Sequence, residues 1–208
     1  MSHFSVAVIT TTGLDEDVDK LLAPFQENNM GDCPKQYLEF NEDQDYEIDE
    51  ETGKRGYWEN PNAKWDWYTV GGRCPGMLKL KTGGNANVAK IKDIDLSIDN
   101  EAYNEAIRFW EVEVEGLPKK NGERFYNPYK PFYYVERFGT KEKYATDFST
   151  FKTFAMLKTN GEWLEKGEMG WFGLYSSTAE SFDSFQKSFN DVLQTMQDHY
   201  ITIVDCHI

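Results

Sequence analysis

An α+β fold follows from three features of the 208-residue chain: β-branched alternating runs near both ends, an Asn-Gly turn between two short apolar segments, and helical spacing of apolar residues in two longer ones. The expected architecture is an antiparallel or mixed sheet with hairpins and about three helices packed mainly on one face, ferredoxin-like in part. A chain of this length can bury one sizeable core, so a single domain over 1–208 is expected.

Phe4 to Thr11 alternates and reads as the opening strand, closed by Gly13. Asp15 to Leu22 reads as a short helix, with acidic residues in the first turn, where the helix dipole favours them, and Pro24 after its end. Gln36 to Phe40 is a candidate strand. From Glu42 to Glu51, seven of ten residues are acidic, so the region 42–56 is expected to be an exposed acidic loop with too little apolar surface to order itself. Trp65 to Val70 reads as a strand, followed by a turn at Gly71 to Gly76 and a second strand at Met77 to Leu80. The two-residue period puts Trp65 and Trp67 on one face and Asp66 and Tyr68 on the other.

Tyr103, Ile107, Trp110 and Val114 are spaced for a helix over Asn100 to Val114, expected to lie on the sheet and to end at Gly116 and Pro118. Tyr126 to Phe138, interrupted by Pro128 and Pro131, reads as an irregular aromatic connection. Phe154 to Lys158 and Glu162 to Lys166 form a hairpin around Asn160-Gly161. Ser177-Thr178-Ala179-Glu180 reads as a capping box before a long helix with the apolar stripe Phe182, Phe185, Phe189, Val192 and Met196. Tyr200 to Cys206 is the closing strand.

The net charge is −14, which repels phosphate backbones, so direct nucleic-acid binding is not expected, whereas a basic protein surface is a suitable partner. No apolar run approaches the roughly 20 residues of a membrane span. Met1-Ser2-His3-Phe4 lacks the features of a signal peptide, and a cytoplasmic protein is expected. Cys33, Cys74 and Cys206 are odd in number and far apart, as free thiols would be.

Three constellations could carry chemistry. Trp65-Asp66-Trp67-Tyr68 with Gly71-Gly72-Arg73 combines stacking faces, a carboxylate, glycines that let backbone approach an anion, and a guanidinium that grips phosphate. That set suits a nucleotide-like ligand, although strand tryptophans more often serve packing. Glu168 to Gly173, centred on Trp171, has a similar texture and is a candidate second wall, or else a strand whose glycines mark a bulge. The third is His3 with Asp205, Cys206 and His207. If the first and last strands pair antiparallel, the two imidazoles meet, and with Asp205 or Cys206 they can bind a metal or run acid–base chemistry near neutral pH. No P-loop, Rossmann glycine pattern, nucleophile elbow or zinc-helix motif is present. No metal or cofactor is expected.

The opening Ser2-His3-Phe4, the block from Gly56-Tyr57-Trp58 through Trp65-Asp66-Trp67-Tyr68 to Gly71-Gly72-Arg73, and the closing Asp205-Cys206-His207-Ile208 resemble an uncharacterised bacteriophage and bacterial small-protein family. There an aromatic residue usually follows the Gly-Gly-Arg, where this chain has Cys74. The resemblance implies a phage accessory protein that acts against host defence, either by sequestering a nucleotide-derived signal or by occluding a basic host defence protein. The alternative from the third constellation is a small enzyme acting on a nucleotide or nucleic-acid-derived substrate, with His3, Asp205 and His207 as its catalytic groups.

Overall fold

The computed structural model describes residues 2–169, 175–176 and 178–208. It is α+β, with a mixed main sheet and three small two-stranded sheets. The chain packs as two compact units, Met1–Ile94 with Thr153–Ile208, and Asp95–Lys152.

In the first unit, β1 (His3–Thr10) is followed by α1 (Asp15–Leu22). The strands β2 (Glu39–Glu42), β3 (Gly56–Glu59), β4 (Tyr68–Val70), β5 (Leu78–Lys79), β6 (Asn85–Ala86) and β7 (Val88–Lys90) come next. The second unit holds α2 (Asn100–Glu113), α3 (Pro131–Phe138) and α4 (Lys141–Ser149). The chain returns to the first unit with β8 (Ala155–Leu157), β9 (Trp163–Glu165), β10 (Glu168–Met169), β11 (Tyr175–Ser176), α5 (Ala179–Thr195) and β12 (Tyr200–His207).

The main sheet runs β4-β12-β1-β8-β9, with β7 also paired to β12. Leaving aside the intervening segments, β1-α1-β8-β9-α5-β12 follows the β-α-β-β-α-β succession. β1 pairs antiparallel with β12 but lies directly beside β8 in parallel. Both central strands are buried along almost their whole length, which is why they read as near-continuous apolar runs. Phe4, Val6 and Val8 of β1, with Val204 and Cys206 of β12, pack with Val18 and Leu22 of α1 and with Trp65. Each such side chain contributes about 1.5–3 kcal/mol by leaving water.

The late hairpin forms as expected, with Gly161 at φ 82° in its turn. Helix α5 buries Phe185, Phe189 and Val192, along with Leu193. Its cap lies one residue later than expected: Thr178 is the cap and Ser181 closes the box. The segment read as Gln36 to Phe40 becomes a 3-10 turn over Lys35–Tyr37, and the strand starts only at Glu39.

The acidic stretch 42–56 is exposed, and it forms the turn end of the β2–β3 hairpin. Its carboxylates order it locally. Asp49 Oδ1 accepts from the N–H groups of Thr52 (2.8 Å) and Glu51 (3.2 Å), and its other oxygen accepts from Trp58 Nε1 (3.0 Å). The bonds from Thr52 above all hold the Asp49 carboxyl below its ordinary range. Side-chain to backbone bonds thus replace an apolar core as the ordering device.

In the second unit, Asp99 caps α2 by accepting from Glu101 and Ala102 N–H (3.0 and 3.1 Å). The packing partner of α2 within this unit is α4, where a sheet was expected. The region read as an irregular aromatic connection contains α3, because Pro131 sits in its first turn, where proline's missing N–H costs nothing. Gly139, at φ 74°, closes it.

Candidate functional site

The register of β1 and β12 sets the site. His3 lies opposite His207 and Ser5 opposite Asp205, so these side chains share one face at one end of the sheet. Ser2 and Ile208 exchange backbone hydrogen bonds of 3.3 and 3.1 Å beyond the last pair and fix that end. The two imidazoles stand edge to face with centroids 5.0 Å apart.

Each histidine has its own carboxylate. His207 Nδ1 is 2.6 Å from Asp66 Oδ1, and His3 Nδ1 is 3.1 Å from Asp205 Oδ1. A carboxylate at Nδ1 holds the proton there and leaves the lone pair on Nε2. In His207 that Nε2 is buried without a hydrogen-bond partner. A buried polar atom of this kind costs roughly 1–3 kcal/mol unless something arrives to pair with it. His207 is 6% exposed, and the Trp67 ring stacks on it at 5.1 Å and 16°. Trp67 itself is 46% exposed.

The order of the Trp-Asp-Trp-Tyr run is broken by a bend at Asp66. Backbone bonds from Asp66 N–H to His207 C=O (3.1 Å) and from His207 N–H to Trp67 C=O (2.9 Å) lay this bend against the end of β12. Regular strand begins only at Tyr68, so Trp65 and Trp67 do not share a face. Trp65 lies in the core, 5% exposed, with Nε1–H donating to Leu22 C=O at 3.1 Å. Tyr68 packs edge-on to Trp65 at 5.3 Å and donates its hydroxyl proton to Asp19. Burial, reinforced by Asp19, pushes the Tyr68 phenol well above its ordinary value. Trp65 and Tyr68 are therefore packing residues, whereas Asp66 and Trp67 belong to the histidine site.

The glycine turn is wrapped around the protein's own carboxylate. Arg73 N–H donates to Asp205 Oδ2 at 2.8 Å, and a Cβ built on Gly72 (φ 46°) would come within 2.5 Å of Asp205. Gly71 is pressed in the same way against Asn87. The backbone donor expected to cradle a ligand anion thus orients Asp205, which in turn holds His3. The Arg73 guanidinium is exposed and enters no ion pair among the described residues. Trp171 and the Gly170–Gly173 stretch lie outside the described residues.

Sequence reasoning missed Glu27 and Asn29. Glu27 is placed by its N–H, which donates to Trp65 C=O at 2.7 Å. Asn29 Nδ2 reaches Glu27 Oε2 (3.2 Å) and Asp66 Oδ2 (3.5 Å). Burial first, then the Asp66 charge, raises the Glu27 carboxyl above its ordinary range, and His207 opposes the shift. Glu27 and Asn29 line a cleft of about 390 Å3 together with Asn28, Tyr57, Trp58 and Glu59. The one available signal, the polar run Gln26-Glu27-Asn28-Asn29 after Phe25, matches no periodicity.

Cys206 points to the opposite face, into the core, and burial raises its thiol far above the ordinary value. At 0% exposure and on the face away from the histidines, it offers no nucleophile to their site. Among the described residues, no group of three or more His, Cys, Asp or Glu side chains is arranged to hold a metal ion. Nor is any helix among them long and apolar enough to cross a membrane. Comparison with protein-family models, with curated proteins and with solved structures found no match to the chain.

Proposed function

We propose that the protein is a small acid–base catalyst acting on a nucleotide or nucleic-acid-derived substrate in the host cytoplasm, as a phage-encoded counter-defence protein. The observation that carries the catalytic reading is the unpartnered, buried Nε2 of His207, whose Nδ1 is held by Asp66. In the proposed reaction that nitrogen takes the proton from an attacking hydroxyl or water, and Asp66 steadies the imidazolium so formed. His3, which enters the reaction as an imidazolium with its Nδ1–H on Asp205, gives its Nε2 proton to the leaving oxygen, and water then carries the proton from His207 back to His3. Trp67 supplies a face for a base, and Arg73 the cation that a phosphate would need beside so many carboxylates.

The test replaces His207 and His3 singly with Gln, which keeps hydrogen bonding but cannot shuttle the proton. Purified proteins are then assayed for turnover of cyclic and linear nucleotides. Wild type should convert at least one of the panel, and each variant should lose about 10²–10⁴-fold in rate. Unchanged rates in both variants would remove the catalytic reading.

A second reading, sequestration or occlusion without turnover, has its own support. The β2–β3 hairpin over 39–59 carries nine acidic against two basic residues, mostly exposed, which suits a basic defence protein. Nucleotide binding with no product, or loss of anti-defence activity on shortening the hairpin alone, would favour it.

A further inference from the structure

The Asp95–Lys152 unit contains a cavity of about 880 Å3 that is independent of the histidine site, and its size suits a small organic ligand. The floor is aromatic. Phe109 stands edge-on to Phe125 (5.8 Å between centroids) and to Tyr134 (5.3 Å), and is tilted against Tyr144 (5.6 Å). Two further lining rings are solvent-facing, Tyr126 at 89% and Phe148 at 55% exposure.

The charge around these rings is uneven. Glu101 and Glu105, one turn apart on α2, line the cavity, are exposed, and form no ion pair among the described residues. Arg108 is already neutralised. Its Nε and Nη2 donate to the two oxygens of Glu123 at 2.8 and 2.9 Å, and Nη1 lies 3.4 Å from Glu111. Arg124 is the one lining cation left without an ion pair among the described residues. Aromatic faces are electron-rich and attract cations, and two free carboxylates beside them add to that field. The chain itself already makes such a contact: Lys119 Nζ lies 5.9 Å over the Phe125 ring while paired with Glu113 at 2.7 Å.

We propose that this cavity binds an organic cation, an ammonium or guanidinium group on an apolar body, with the charge against Glu101 and Glu105 and the body on the Phe109, Tyr134 and Tyr144 rings. An anionic ligand of the same shape meets two unneutralised carboxylates against one lining cation, Arg124, that is free of ion pairs among the described residues, and binds more weakly.

The experiment titrates the full chain with benzyltrimethylammonium, with phenylacetate as the anionic control and benzyl alcohol as the neutral one, following aromatic signals by 1H–13C NMR. The expected result is saturable binding of the cation, with shifts in the lining rings and with both controls at least about tenfold weaker. The double variant Glu101→Gln/Glu105→Gln should weaken the cation by about three- to tenfold. Phe148→Ala, at an exposed ring whose loss leaves the fold intact, should weaken it as well. Phenylacetate or benzyl alcohol binding as tightly as the cation, an affinity unmoved by the double variant, or no saturable shift would each overturn the proposal.

Discussion

The two units divide charge and apolar surface between them. Residues 1–94 with 153–208 hold 25 acidic against 13 basic side chains, whereas 95–152 hold 11 against 9. Nearly all of the net −14 thus belongs to the sheet unit. Exposed apolar surface is distributed the other way. Among the described residues, eight of the thirteen large apolar side chains that stay exposed lie in 95–152. A whole-chain charge therefore describes neither unit well. The sheet unit carries the negative field, while the helical unit is close to neutral and exposes aromatic rings.

The largest expected effect tests how the sheet unit uses its tryptophans. Trp65→Ala removes a core ring and should cost about 3–5 kcal/mol in urea unfolding. Trp67→Ala, at the half-exposed ring stacked on His207, should cost at most about 1 kcal/mol. Equal costs would restore the expectation that both rings share one face.

A glycine in each unit gives the next comparison. Gly72 and Gly139 both have positive φ, 46° and 74°, but only Gly72 has a neighbour, Asp205, in the way of a Cβ. Gly139→Ala should therefore cost about 1 kcal/mol, for backbone conformation alone. Gly72→Ala should cost about 2–3 kcal/mol and displace the carboxylate that holds His3. The His3 imidazole resonances, followed by NMR, would report that displacement. A Gly72→Ala cost no larger than that of Gly139→Ala would mean the turn is not wrapped tightly on Asp205.

A smaller effect is expected at the acidic hairpin. Glu42 and Gly56 are paired across β2 and β3, so a two-residue Asn-Gly link can replace residues 43–55 without changing register. The side chains removed are mostly exposed, and closing a shorter loop costs little, so stability should move by less than about 1 kcal/mol. A larger loss would show that the Asp49 bonds stabilise more than their own turn.

Legibility in the sequence followed the range of the forces involved. The pairing of β1 with β12, the late hairpin and the α5 stripe are periodic apolar patterns, and periodicity survives in one dimension. The meeting of His3 and His207 followed from that pairing. The bend at Asp66 could not be read the same way, because it is imposed by hydrogen bonds to His207, far along the chain. Pro131 reads as a breaker from sequence, yet it starts α3, since proline's meaning depends on the turn it occupies. Glu27 and Asn29 reach the site through contacts that leave no local pattern.

The subtlest comparison is between two glutamates whose ionisation should act on stability with opposite signs. Glu123, in the helical unit, is held down to about 2 from an ordinary 4.5, chiefly by its bonds from Arg108. Its folded-state value lies below the unfolded one, so its contribution is complete above the unfolded value and is lost as pH falls through about 2. Glu123→Gln should lower the urea midpoint at neutral pH, with the gap closing on acidification. Glu27, in the sheet unit, is shifted upward by burial and by Asp66. Its protonated form suits the fold, so its contribution is complete below the ordinary value of 4.5 and disappears as pH rises through the raised one. At neutral pH the charged Glu27 is a cost, and Glu27→Gln should raise the midpoint there and have no advantage in acid. Midpoints of both variants measured from acid to neutral pH decide it. Two shifts of the same sign would break the contrast, and a loss of stability in Glu27→Gln would mean that His207 outweighs the burial and the Asp66 charge that oppose it.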